Sequence, residues 1–204
     1  MSKPSIETAT VDSNIGETIA IEQPKTIEAL SELLIQKNID TSGWNTPKTK
    51  SIPDLFSEIV TGESMLEIRN KKIIRAISII GINVFTTIRG SHMRLVERKR
   101  VSGNTPHSRL LRTSISERKS FHEDLFAAAI RITENVLSIS TEPHYFIEGN
   151  KHITYIDPDA FPCLATRACE RRLAINISPN SARLSGYTVL LDNETIHFEW
   201  SPTT

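Results

Sequence analysis

The run Ile73–Ile88, IIRAISIIGINVFTTI, constrains this chain more than any other segment. It is the longest apolar stretch, interrupted only by Arg75 and Asn83. A membrane-spanning helix needs about 20 apolar residues, and this run is shorter. It is also dense in β-branched side chains, which crowd a helix and suit a pleated surface. It reads as buried strand, so the remaining chain must supply its neighbours. The 204 residues suffice for one domain with its own core and an appendage.

The surrounding pattern divides the chain. Residues 1–24 are rich in Ser, Thr and Glu, carry Pro4 and Pro24, and have no aromatic. That composition predicts a disordered or loosely attached arm. Residues 25–50 hold a short amphipathic helix, with Ile27, Leu30 and Leu34 on one face, and a linker containing Trp44. Residues 51–200 form the main domain, and 201–204 are tail. Ser51 and Pro53 open a second helix whose apolar face is Leu55, Phe56 and Ile59, and Gly62 ends it. Strands follow at Glu67–Asn70 and Ile73–Ile88 about a turn at Asn70–Lys71, then at His92–Val101. The stretch from Glu117 to Ser140 carries the clearest helix, with Leu125, Ala128, Ala129, Ile132 and Val136 on one face. Beyond it come candidate strands near Ile153–Ile156 and Ala168–Ile177, and a hairpin of Gly186–Leu191 with Thr195–Trp200. This order predicts an α+β fold, a mixed β-sheet with one long helix packed on it and short N-terminal helices.

Composition removes several function classes. Lys+Arg and Asp+Glu both number 24, so the chain is neither a uniformly basic nucleic-acid binder nor an acidic tail. Cys163 and Cys169 are too few for a disulfide scaffold and lack the spacing of a zinc site; they read as reduced, buried and inert. The six histidines show no metal-ligand spacing. There is no P-loop, dinucleotide fingerprint or nucleophile elbow. Met1–Gly16 has no apolar signal-peptide core, and a cytoplasmic, soluble protein without membrane contact is expected. Trp44 and Trp200 are expected to close a core rather than anchor an interface.

Charge is uneven along the chain. Arg89–Lys119 holds nine basic residues against Glu97 and Glu117, a net charge of +7 in a neutral protein. On alternating strands some of these arginines converge. Arg94, Arg98, Arg100, Arg109 and Arg112 are the candidate ligand-binding residues, because a guanidinium suits phosphate or carboxylate. The other reading is a solvated basic face. No aromatic–glycine motif accompanies them, which disfavours an RNA-binding module.

Glu117–Ile139 resembles a worn Nudix box, G-x5-E-x7-R-E-U-x-E-E-x-G-U with U aliphatic. Aligned on Arg131, Glu123 falls on the first Glu and Ile139 on the last aliphatic. Glu117 and Ser138 stand where the pattern has Gly, Thr133 where it has an aliphatic, and Ile132, Asn135 and Val136 where it has Glu. The segments KSIPDLFSEIVTGES, LVERKRV, AFPCLATRACERRLAI and ETIHFEW are similar to Nudix-like proteins of cyanobacteria and plant plastids. The resemblance implies a Nudix-like fold for residues 51–200. In that family the box glutamates hold Mg²⁺ or Mn²⁺ for hydrolysis of nucleoside diphosphates linked to another moiety. Here three of the four carboxylates are gone, and Glu134 lies about 100° around the helix from the adjacent position.

Glu123 and Arg131 are therefore residual box positions: Glu123 a leftover ligand, a partner for Arg131 or an exposed first-turn carboxylate, and Arg131 a structural ion-pair residue. No catalytic residue, metal site or cofactor is expected. The leading reading is a catalytically inactive Nudix-fold binding, regulatory or assembly protein. It would recognise a phosphorylated small molecule through the basic surface, or a protein partner through the arm and first helix. The first alternative is a divergent hydrolase needing Mg²⁺ or Mn²⁺, with carboxylates from outside the box such as Glu97, Glu142 or Glu148. The second is a nucleic-acid or polyanion binder on Arg89–Lys119.

Overall fold

The computed structural model describes residues 18–102, 105–107, 114–139, 146–156, 159–191 and 194–203. Among them are ten strands and three helices. In chain order they are β1 (Thr18–Ala20), α1 (Ile27–Gln36), α2 (Ile52–Val60), β2 (Ser64–Arg69), β3 (Lys72–Ile88), β4 (Ser91–Ser102), β5 (Thr105–His107), β6 (Ile115–Lys119), α3 (Leu125–Leu137), β7 (Phe146–Ile156), β8 (Thr166–Asn176), β9 (Tyr187–Leu191) and β10 (Glu194–Pro202). No described helix is long and apolar enough to cross a membrane.

The structure corrects the expected mixed α+β sheet with one long helix. The pairs β1–β2, β2–β3, β3–β4, β3–β6, β4–β5, β4–β10 and β9–β10 are all antiparallel. Tight turns are the reason. β2–β3 turns on Asn70 and Lys71 (φ 49° and 65°), and β3–β4 on Arg89 and Gly90 (φ 50° and 81°). Two-residue turns with positive φ at both positions force neighbours to run antiparallel, whereas parallel pairing needs a crossover of a dozen or more residues. The helix is also short. α3 spans 13 residues, and Glu117–Lys119, read as its approach, lies in β6 opposite Ile80–Ser78 of β3. The helix starts only where the Asp124 side chain accepts from the backbone N–H groups of Phe126 and Ala127, at 2.9 and 3.1 Å.

The chain divides into two compact units, Met1–Ile77 with Ile153–Ala168 and Ser78–His152 with Cys169–Thr204. The first is built on α1, α2 and the β2–β3 hairpin. Thr26 caps α1, and Ser51 with Asp54 forms a capping box on α2. Leu30, Leu34, Leu55, Leu66 and Phe161 pack together in the core. Trp44 is 6% exposed, donates to the Pro162 carbonyl at 2.9 Å and meets Phe161 edge to face, so it closes this core. Part of the segment expected to be a loose arm is held. β1 pairs with β2, and the Gln23 amide donates to the Leu66 carbonyl and accepts its N–H at 2.9 and 2.8 Å. Residues 1–17 lie outside the described residues.

Charge is buried in this unit. Arg75 is 1% exposed and Glu58 5%. The Arg75 guanidinium donates to Glu58 and, at 2.8 Å, to the Ser64 hydroxyl. Ser64 donates to Glu58 at 2.6 Å, and the Lys50 ammonium donates to the other Glu58 oxygen at 2.7 Å. Burial raises the Glu58 carboxyl, but Lys50, Ser64 and Arg75 together outweigh it and hold it at about 2.

The second unit closes over Ile80, Ile82 and Val84 of β3, Leu95 of β4, Ala128, Ala129 and Ile132 of α3, and Phe198 of β10. Trp200 packs on this cluster and donates to the Arg183 carbonyl at 2.9 Å. Ser114, fully buried, accepts from the Val84 N–H and donates to the Leu95 carbonyl, tying β3 to β4 beyond their paired stretch. Gly186 adopts φ 80°, and a Cβ there would stand 2.0 Å from the Phe198 carbonyl oxygen. Cys163 is exposed and Cys169 half-buried, both free, which corrects the reading of two buried cysteines.

Two predictions follow from this packing. A carboxyl held below its ordinary value stabilises the fold above its unfolded pKa and loses that contribution as pH falls. Glu58 should thus supply on the order of 3 kcal/mol, lost between about pH 4.5 and about 2. Urea denaturation against pH should show this slope in the wild type and a flatter one in Glu58→Gln. Gly186→Ala combines a left-handed backbone with a backbone clash, and should lower the unfolding free energy by more than about 2 kcal/mol.

Candidate functional site

The segment Glu117–Ile139 lies in the second unit, and the residues of its helix follow the helix period. Ile132 and Thr133 are buried, and Thr133 donates to the Ala129 carbonyl at 2.7 Å. Val136 packs on the core from its edge, while Asn135 is exposed. Position 132, where the signature has a carboxylate, is thus spent on packing. Ser138 stands where the signature has glycine and adopts φ 54°, so the left-handed helix end persists without the residue that suits it best.

Glu123 lies just before α3, and Arg131 reaches back to it across two turns. The guanidinium donates from Nε to Oε1 at 2.7 Å and from Nη2 to Oε2 at 2.8 Å. This two-point pair occupies one lone-pair direction on each carboxylate oxygen. The hydrogen bond from Arg131 holds the Glu123 carboxyl below its ordinary range, against partial burial. Lys119 sits beside them and donates to the Ser120 and Glu123 carbonyls; burial lowers its ammonium.

The candidate arginines separate. β4 and β10 are in register from Glu194↔Ser102 to His197↔Lys99, then resume at Phe198↔Glu97. Arg98 is the extra residue of this bulge. A bulge shifts the alternation by one, bringing Glu97 and Arg100 to one face although they are three apart. Arg100 donates to Glu97 at two points of 3.0 Å and to Glu194 at 2.6 Å. The Glu97 side chain is 1% exposed. Its hydrogen bonds, then those of Glu194, push the Arg100 guanidinium up despite burial. Arg98 points to solvent and meets Glu199 at 3.2 Å. Arg94, opposite Phe85 and Ser201, has no ion-pair partner among the described residues. Arg109 and Arg112 lie outside the described residues.

The carboxylates weighed as outside ligands are also engaged. Glu97 pairs with Arg100, and Glu148 with Arg171 at 2.8 Å; Glu142 lies outside the described residues. Among the described residues no group of three or more His, Cys, Asp or Glu is placed to hold a metal ion. Sequence reasoning missed the acidic partners of these arginines. Glu194 is 94 positions from Arg100, and no local pattern announces such a pairing.

A left-handed Ser138 carries steric strain that glycine lacks, offset by glycine's larger chain entropy. Ser138→Gly should leave the fold intact and raise its unfolding free energy by roughly 0.5 kcal/mol, read from thermal and urea midpoints.

No protein-family model matches the chain, and no curated protein matches it. Among solved structures it is similar to the Ap4A hydrolase of C. elegans, at 13% identity and a TM-score of 0.33, over 61% of this chain and 79% of that one. It is similar to MERS1 of T. brucei in a complex with RNA, at 11% identity and a TM-score of 0.37, over 79% of this chain and 60% of that one. The apo form of MERS1 gives 12% and 0.36, over 84% and 71%. At these values the likeness assigns neither family nor function.

Proposed function

We propose that this chain is a non-catalytic protein of Nudix-like descent, acting as a binding, regulatory or assembly module. The observation that carries the reading is the two-point capture of Glu123 by Arg131. A carboxylate used to hold a divalent cation must present free oxygen lone pairs. Here both oxygens accept from a guanidinium of the same segment. The neighbouring box positions support the reading, because Ile132 and Val136 contribute to the core and Asn135 is neutral. On this view the helix is kept for packing, and the pair ties its preceding loop to its middle.

The arginines of β4 support binding more weakly than their count suggests. Arg100 is neutralised twice from within the protein, and Arg98 once. By strand alternation Arg94 lies on the face opposite Glu97 and Arg100, so a phosphorylated ligand that met Arg94 would not reach Arg100, which is held by its own glutamates. Exposed pairs such as Arg98–Glu199 are worth little and yield readily; the half-buried Arg100 cluster does not.

The test is hydrolysis. The full chain, incubated with nucleoside-diphosphate-linked substrates including ADP-ribose and with Mg²⁺ or Mn²⁺, should release no phosphate-containing product above the protein-free rate. Turnover that a chelator abolishes and Glu123→Gln reduces would overturn the proposal.

A further inference from the structure

The first unit carries a groove of about 1500 Å³ that no motif in the sequence points to. Its walls come from the C-terminal end of α1, the 48–49 loop, the β2–β3 hairpin and the 159–165 segment. Lys37, Lys48, Lys71 and Lys72 line it, with Asp159 the one acidic residue among the described residues of the lining. All four lysines are exposed, and none has an ion-pair partner among the described residues. Elsewhere in this unit Lys25 and Lys50 are paired, with Glu22 and Glu58. Between the lysines the lining is aliphatic, with Ile39, Pro162 and Ala165 among its residues.

We propose that this groove docks an acidic, aliphatic peptide segment of a partner protein. It goes beyond the function proposed above, because the groove and the box-derived helix share no residue and either can fail alone. Three observations select this occupant. The lining holds four cationic side chains against one anionic, so its ligand is anionic. Among its described residues it contains no aromatic side chain, and single-stranded nucleic acid is held by stacking on aromatic platforms. Among its described residues it contains no arginine, whose planar fork is the side chain best matched to a phosphate group. Carboxylates spaced along a peptide meet separate lysines, while aliphatic side chains between them cover Ile39 and Pro162. The volume exceeds the roughly 300–1,000 Å³ of small-molecule sites and suits a segment of several residues.

Backbone conformation at the rim agrees. Lys71 holds the second position of the hairpin turn at φ 65°, where glycine is favoured, and Cys163 in the lining has φ 66°. Lysine at such a position costs stability that glycine would return.

A randomised 12-residue peptide display library panned against the full chain should enrich sequences combining Asp or Glu with Leu, Ile or Val. Fluorescence polarisation with a labelled enriched peptide should show affinity that falls with added salt and weakens at least about tenfold in Lys48→Glu/Lys72→Glu, both exposed positions. Lys71→Gly should weaken the same peptide by about threefold without lowering the thermal midpoint. Enrichment without acidic residues, or peptide binding unchanged in the double variant, would overturn the proposal. So would tighter binding of single-stranded dT12 that the same double substitution removes, since the groove would then serve nucleic acid.

Discussion

Burial of β3 is the constraint on which the rest depends. An apolar strand of 17 residues exposes two rows of side chains and a full set of backbone donors and acceptors, and neither can be left to water or void. Its first residues, Lys72–Ile77, pair with β2 in the first unit. Ser78–Ile82 pair with β6, and Phe85–Ile88 with β4, in the second. Each half acquires its own core, Ile73 among the aliphatics of α1 and α2, and Ile80, Ile82 and Val84 among those of α3 and β10. The hairpins at both ends of β3 make its pairings with β2 and β4 local in sequence and antiparallel, while β6 joins from a distant part of the chain.

Within that frame the recurring polar device is a glutamate held by an arginine fork. Glu58 with Arg75 and Glu67 with Arg167 occur in the first unit. Glu97 with Arg100 and Glu123 with Arg131 occur in the second. A planar guanidinium can satisfy both carboxylate oxygens at once, which makes ionised groups tolerable where water is scarce. The same device removes chemistry. A carboxylate that accepts two hydrogen bonds from one cation is a poor cation ligand and a poor base. Lys37, Lys48, Lys71 and Lys72 of the first unit have no such partner among the described residues.

Much of the local structure was legible. Ser51 three residues before Asp54, with Pro53 in the first turn, announced α2. Asn70–Lys71 between apolar runs announced the first hairpin, and the spacing of Leu125, Ala128, Ala129 and Ile132 announced the buried face of α3. The failures share a cause. Lys119 and its neighbours look like the approach to a helix, but a pairing with β3, some 40 positions away, takes them into a strand. Arg75 looked like an interruption of an apolar strand. It is instead the centre of a buried charge cluster, because Glu58 lies 17 positions earlier on another element. At the candidate site Glu123 and Arg131 were recognisable together, and their pairing was among the readings the sequence offered; the structure added its two-point geometry.

The sequence by itself determined what depends on neighbours within about a turn or a hairpin: strand alternation, helix caps and tight turns. These follow from periodicity and backbone sterics, which act over a few residues. Only the tertiary structure decided which arginines are free. Arg98 and Arg100 belong to one basic run, yet a bulge and the arrival of β10 bring Glu199, Glu97 and Glu194 against them. Lys37, Lys48, Lys71 and Lys72 belong to no run, yet the fold of the first unit brings them to one groove. Charge pairing is set by distance in space, and distance in space is what a linear sequence does not carry.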